Sequence, residues 1–263
     1  KNTGFACANN LAVNQIEDCD WIAFLNPDAF AHTDWLENLT QAIESFPEVK
    51  MFGSHMLGHD NGLIDGTGDI YHVSGVAWRR DHGMKSSKVN RESGEIFSPC
   101  AAASLISRDA FLEVGGFDEH FYCYNEDVDL SFRLRLIGHR CIYVYDAVVE
   151  HVGSGTTSRY SDFAMYHGQR NLVWSYFRNM PGVWFWVYLP QHILFSVVAL
   201  IWFAVKGKAV PVFKARWDAL KGLPRVLKLR KETQNSKTVA DAKVVDAMSR
   251  DFWVPYTQKK KLR

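Results

Sequence analysis

Near the middle of the chain, Gly115-Gly116-Phe117-Asp118-Glu119 is followed by Asn125-Glu126-Asp127-Val128-Asp129-Leu130 and then, after a strand-like run, by His151. This order delivers carboxylates to the start of one helix and an imidazole to the end of the next strand. Anionic side chains are favoured at a helix N-terminus, where unpaired N–H groups carry partial positive charge. Open α/β sheets gather their chemistry at strand ends of this kind. A third acidic signal, Asn26-Pro27-Asp28, ends an earlier apolar run. Three such sites from distant parts of the chain predict one assembled pocket.

Around these motifs strand and helix signals alternate. Residues 5–17 have the spaced apolar positions of a helix. Trp21 to Leu25 is a buried strand closed by Asn-Pro-Asp. Asp34-Trp35-Leu36-Glu37 resembles a capping box and opens a helix to about Phe46. Lys50 to Leu57 and Ala102 to Ser107 are strands, and Arg108 to Val114 is a short helix closed by Gly115. Residues 58–98, rich in Gly, Asp, His and Ser, read as loops with short strands. The best-defined element is a helix over 126–137, with Asn125 as N-cap and Gly138 at its end. Arg140 to Tyr145 is β-rich. The alternation predicts an α/β sheet with helices on both faces.

The 263 residues suffice for one large domain of residues 1–180 with an appendage. A net charge of +1 implies no general attraction to nucleic acid. The five cysteines are odd in number and form no CxxC pair, which argues against a disulfide framework or thiolate zinc site and fits a reducing compartment. The chain opens on Lys1 and a turn at Asn2-Thr3-Gly4, so the strand that should feed this turn is expected to precede it.

After Met180 the composition changes. Val183 to Val205 is almost wholly apolar and aromatic, broken by Pro190, Gln191, His192 and Ser196. It approaches the ~20 residues that cross a bilayer. The stretch Lys206 to Lys231 is strongly basic, with Asp218 its one acid. Basic residues beside an apolar run favour the cytoplasmic side and attract anionic lipid. Residues 181–232 therefore read as a membrane-associated helical segment, spanning, re-entrant or surface-lying; a hairpin buried against the domain is the alternative. The tail, 233–263, is polar, with Lys259, Lys260 and Lys261 near its end.

Each candidate residue has two readings. Asn26 and Asp28 could bind a hard divalent cation through oxygen, or form an Asx-Pro turn that ends a strand. Glu126 and Asp127 could supply a general base aimed into a pocket, or simply stabilise a helix start by ~0.3–1 kcal/mol each. Asp129, four residues before Arg133, is expected to form a surface ion pair with it. His151 could complete a cation site beside Asp28, or be a hydrogen-bonded structural residue. Asn2-x-Gly4-Phe5 enters a helix whose start can receive phosphate or sugar hydroxyls.

Together, NTGFACANNLA, WIAFLNPDA, GGFDEHFYCYNEDVDLSFRLRLIGHR and EHVGSGTTS followed by QRN resemble the family 2 glycosyltransferases, inverting enzymes of the GT-A fold. The likeness is greatest to a rhamnosyltransferase-like bacterial branch that builds surface polysaccharide. It covers roughly residues 2–180. It implies a nucleotide-diphospho-sugar donor, a divalent cation (Mg or Mn) and a glycan acceptor, lipid-linked in view of the tail, at the cytoplasmic face of the cell membrane. Asp28 matches the last acid of the metal-binding DxD element, and His151 the histidine that often completes the site. Asp127 matches the catalytic base, with Glu126 beside it. Asn2, Gly4 and Asn9 would lie by the donor, and Gly116, Phe117 and Asp118 by the acceptor. Asn26 stands where DxD has its first Asp, and the family's opening strand is missing from this sequence.

Two other classes compete. A metal-dependent hydrolase would use Asp28, Asp127 and His151 to release product without an acceptor. A non-catalytic, membrane-attached sugar-binding domain would keep the fold alone; the Glu126-Asp127 pair disfavours it and Asn26 favours it.

Overall fold

The computed structural model describes residues 2–153 and 161–254. The part of the EHVGSGTTS motif from Ser154 onward, and Lys259 to Lys261, lie outside the described residues. Nine strands are formed among those described: β1 (Trp21–Leu25), β2 (Ala29–Ala31), β3 (Met51–Gly58), β4 (Ile64–Gly66), β5 (Asp69–Tyr71), β6 (Ala77–Arg79), β7 (Gly94–Ile96), β8 (Ala103–Ser107) and β9 (Cys141–His151). The helices are α1 (Gly4–Gln15), α2 (Trp35–Ser45), α3 (Arg108–Glu113), α4 (Glu126–Leu136), α5 (Asp162–Asn179), α6 (Trp184–Val205), α7 (Ala209–Asn235) and α8 (Asp241–Asp246).

The main sheet runs β1-β8-β3-β9-β2, with β4 added on β3 and β7 on β9; β5 and β6 form a separate hairpin. Only β3 and β9 pair in parallel within this set, so the sheet is mixed. Alternate residues of a strand face opposite sides. Ile142 and Val144 of β9 accordingly pack with Trp35, Leu39, Phe52 and Leu105 beneath α2. Cys141 and Tyr143 face the other layer, with Ala6, Phe111, Leu130 and Leu134 from α1, α3 and α4. Helices on both faces are what the alternating pattern predicts.

Strand β9 extends six residues past the predicted Tyr145. Its register against β3 jumps from Ser54–Val144 to His55–Val148, so residues 145–147 form an irregular bulge and the ladder then resumes as far as His151. Two pairings bring the site together. Ala29 lies opposite His151 in the β2–β9 ladder, and Gly58 lies opposite His151 in the β3–β9 ladder. Asp28, one residue before β2, is thereby carried to the end of β9, where its carbonyl accepts from the Val152 N–H at 3.0 Å.

Several local expectations are corrected. The expected side-chain cap at the start of α4 does not form: Asn125 precedes the helix in the left-handed region (φ 65°) and its side chain makes no cap bond. Asp34 likewise makes no side-chain cap bond to α2. The Asp129–Arg133 ion pair forms, at 2.8 Å, but it is buried rather than on the surface, because α5 covers that face of α4 and adds Arg178 and Asn179 to the same carboxylate. The polar tail folds back. Val244, Val245 and Met248 enter a core shared with Tyr71, Phe132 and Tyr176, and Ser249 exchanges backbone bonds with Tyr71 and Val73 at 2.9 and 3.0 Å.

Candidate active site

The cation half of the site is built on His151, whose side chain is buried. Its Nδ1 lies 2.8 Å from an Asp65 carboxylate oxygen. Burial alone would raise the Asp65 carboxyl; hydrogen bonds from His151 and His82 and the positive charge of Arg79 overcome this and hold it well below the usual carboxylate range. An ionised carboxylate can only accept, so Nδ1 carries a hydrogen and it is Nε2 that faces Asp28. That Nε2 is buried with no hydrogen-bond partner, 3.3 Å from Asp28 Oδ1. A proton or a metal cation between Nε2 and the Asp28 carboxylate would satisfy both groups. An imidazole beside a carboxylate, oriented by a second carboxylate, is a donor set suited to a divalent metal.

The other half is a cavity of about 240 Å³ lined by Asn26, Asp69, Trp78, Arg79, Glu126 and Asp127, among others. The Asp127 carboxylate accepts from the Ala101 N–H at 3.0 Å and from the Val128 N–H at 2.8 Å. Burial pushes its carboxyl up, against these bonds and the charge of Arg79. Glu126 is pushed much further up, by burial and then by the charge of Asp127, and its Oε2 has no partner. The pair therefore divides its labour: Glu126 holds a proton, while Asp127, with two N–H donors, is the better anion. Asp69 is raised to about 7 by burial and by the Asp127 charge. Arg79 bonds the Asp65 carboxylate, donates to Cys100 Sγ at 3.2 Å and opposes the charges of Asp69 and Asp127. It ties the cation half to the carboxylate half.

The sequence-predicted residues fall in three groups. Asp28 and His151 meet directly, while Asn26, Glu126 and Asp127 share the cavity. Asn2 and Gly4 are not among its lining residues, although Phe5 beside them is; Asn2 Oδ1 accepts from the Gly4 N–H and the Tyr122 hydroxyl, both at 3.0 Å. Gly4 has φ +85°, and a Cβ there would lie 2.6 Å from the Tyr122 ring, so no larger residue fits. Asn9 donates to the Phe5 carbonyl within its own helix. In the third group, Phe117 is a core side chain packed on Phe5, Phe24 and Phe111. The Asp118 carboxylate is held by Arg225 at 2.8 Å and Arg178 at 3.3 Å. Gly116 (φ +67°) lets Asn10 approach; Asn10 exchanges two 2.9 Å bonds with the Phe117 backbone.

Sequence reasoning missed Asp65, Asp69 and Arg79, all within the stretch read as loops. The available signal was Asp65-Gly66-Thr67-Gly68-Asp69, two acids set among glycines between short β-branched runs. A larger cleft of about 640 Å³ shares Asp69 with the carboxylate cavity and is otherwise lined by Arg80, Glu95, Arg135 and Arg140 among others. Its Arg135 is occupied by Glu95 and by the Ile96 and Phe97 carbonyls.

A histidine–aspartate pair thus lies near a buried carboxylate cavity on a mixed sheet. Residues 2–176 match the sequence profile described as "Glycosyltransferase like family 2". The chain belongs to this family. Among curated proteins it is 26% identical over 179 residues to the N-acetylglucosaminyl-diphospho-decaprenol L-rhamnosyltransferase of Mycobacterium tuberculosis, covering 60% of this chain and 58% of that protein. It is 31% identical over 159 residues to the rhamnosyltransferase WbbL of Escherichia coli, covering 54% of this chain and 58% of the relative. The chain thus matches little more than half the length of either. Solved structures similar to it include GalNAc-T7 with UDP, GalNAc and Mn2+ (TM-score 0.49, 13% identity, 66% of this chain and 34% of that one). Another is residues 1–349 of TarS from S. aureus (TM-score 0.47, 17% identity, 98% and 72%).

Proposed function

We propose that this protein is a glycosyltransferase that moves a sugar from a nucleotide-diphospho-sugar to a hydroxyl of a lipid-linked glycan acceptor, with inversion, in surface polysaccharide or cell-wall assembly. The observation that carries the reading is Asp127, a carboxylate fixed by two backbone N–H groups in a cavity next to the Asp28–His151 pair. An acceptor hydroxyl is a poor nucleophile until its proton is taken. Asp127 is the group suited to take it, and Glu126, holding its own proton, hydrogen-bonds the acceptor or keeps it oriented. A divalent cation (Mg or Mn) bound by Asp28 and His151, with Asn26 alongside, would supply positive charge against the departing diphosphate. Attack from the face opposite the leaving group inverts the anomeric centre through a transition state of oxocarbenium character.

The acceptor class is taken from the decaprenol-linked substrate in the name of the mycobacterial relative, and from the apolar helix α6 with the basic helix α7. Both fit work at the cytoplasmic face of the membrane. Asp127→Asn, assayed in the full-length protein with radiolabelled dTDP-rhamnose and other nucleotide sugars against a lipid-linked acceptor pool, tests the reading. Transfer falls at least about a hundredfold, in line with loss of a general base, while donor affinity stays within a few fold. Wild-type turnover in that variant would remove Asp127 from the mechanism.

A further inference from the structure

Among the described residues a single helix, α6, is long and apolar enough to cross a bilayer. Its surroundings decide how it meets lipid. At about 1.5 Å per residue its 22 residues extend about 33 Å, close to the ~30 Å of a hydrocarbon core. Yet both its ends and its middle are tied to the catalytic domain. Near its start, the Phe185 carbonyl accepts from the buried Tyr176 hydroxyl at 2.7 Å, and the Phe185 ring lies under Arg230 of α7. One-third of the way along, His192 stacks on Tyr176 (4.1 Å) and bonds the Ser74 carbonyl at 2.8 Å. Just past its end, Lys208 pairs with Asp162 at the start of α5.

Helix α7 runs back beside α6 and is bound to α5 along its length. Arg216 donates to the Gln169 carbonyl, Asp218 accepts from Tyr166, Trp174 donates to the Ala219 carbonyl, and Arg230 donates to the Met180 carbonyl. If α6 crossed a bilayer in this arrangement, these polar contacts of α5 and α7 would have to sit at hydrocarbon depth, where polar and charged groups are costly.

The outer surface of the hairpin fits a different geometry. On α7, Val210, Phe213, Trp217, Leu220 and Leu227 are all exposed, spaced by three, four and seven. At about 100° per residue they fall about 140° from the buried face of the same helix. One residue further round are Lys214, Lys221 and Lys228, a column at heptad spacing, all exposed. Packed beside α7 is α6, whose Trp186, Ile193, Leu194, Val197 and Ile201 are also exposed. Each of the two packed helices thus presents an exposed apolar face, and that of α7 has a cationic rim, the composition of a segment that lies in a lipid interface.

We propose that α6 and α7 dock side by side in the plane of an anionic lipid surface, and that α6 does not cross the bilayer. The occupant is anionic lipid rather than a second copy of the chain, because the lysine column would face its own like charges across such a dimer. This rests on the membrane reading above and specifies its mode.

The test uses the full-length protein floated with vesicles of phosphatidylcholine alone or mixed with phosphatidylglycerol. In-plane docking predicts binding to the mixed vesicles, weakened by salt, and a loss of about tenfold for Leu220→Glu or Phe213→Glu. Undiminished binding of both variants, with circular dichroism unchanged, would overturn it, since α6 alone would then hold the protein. A dansyl-bearing residue at Val187, Leu194 or Ile201 is then quenched by brominated lipids. Equal depth at the three positions supports the proposal, and a progression from one leaflet through the bilayer centre overturns it while leaving membrane attachment intact. Failure of the wild type to float overturns membrane attachment itself, as does a stable dimer in solution that Leu220→Glu dissociates; the transferase reading is tested separately by Asp127→Asn.

Discussion

His151 Nδ1 lies 2.8 Å from a carboxylate oxygen of Asp65, 86 residues earlier in the chain. The contact fixes which imidazole nitrogen faces Asp28, and Arg79 fixes Asp65 in turn. Asp65 thus orients the imidazole, which on the proposed reading holds the cation. Asp65→Asn keeps the size of the side chain and removes the charge. Loss of such an outer partner costs about 10–100-fold in metal affinity. Titrating the purified variant with Mn2+ by isothermal calorimetry, against wild type, measures it directly. Equal affinities would show that Asp65 does not orient the imidazole.

Asp69 gives a pH-dependent outcome. Its folded carboxyl titrates at about 7, raised by burial and by Asp127, whereas an unfolded aspartate titrates near ~3.9. Between these values the folded chain keeps a proton that the unfolded chain has released, so stability falls as pH rises and is lowest above 7. Asp69→Asn lacks this penalty. It is therefore more stable than wild type at pH 8, by roughly 1–4 kcal/mol, with the advantage shrinking toward pH 5. Thermal midpoints across that range check the sign.

The fold and half of the site were legible because they depend on local signals. Short apolar or small-residue runs marked β1, β3 and β8, and Asn-Pro-Asp and Glu126-Asp127 stood at element ends where carboxylates collect. Asp65, Asp69 and Arg79 were not legible, since three-residue strands carry too little periodicity to be distinguished from loops. Their roles come from pairings with residues far away in sequence, such as Asp65 with His151. The same limit explains Asp129. Its spacing to Arg133 is visible in sequence, but α5, which buries the pair, is not implied by that spacing.

Burial changes what the Asp129 pair is worth. An exposed pair at this spacing contributes about 0.3–0.5 kcal/mol. Here the Asp129 side chain is fully buried and accepts from Arg133 at 2.8 Å and Asn179 at 2.7 Å. Asp129→Ala leaves the Arg133 guanidinium buried with an uncompensated charge, and is expected to cost about 3–5 kcal/mol. Urea denaturation measures this. A loss below about 1 kcal/mol would return the pair to the ordinary surface class.

The tail offers the last prediction. Residues after Thr233 have a polar composition, and nothing in their sequence marks them as part of the core. In the structure Val244 and Val245 are almost wholly buried against the cluster of Tyr71, Phe132 and Tyr176, and Ser249 extends the backbone pairing of Tyr71 and Val73. Tyr71 ends β5, whose first residue is Asp69, and β5 pairs with β6, which carries Arg79. The tail therefore braces the hairpin that positions two of the charged groups of the site. Val245→Asp places an unpaired carboxyl in that core, and is expected to destabilise the protein by several kcal/mol. The milder Val245→Ala costs about 1–3 kcal/mol. If the brace acts on the site, Val245→Ala also lowers Mn2+ affinity or transfer at temperatures well below its melting point. Unchanged binding and transfer in a measurably destabilised Val245→Ala protein would confine the tail to a purely stabilising role.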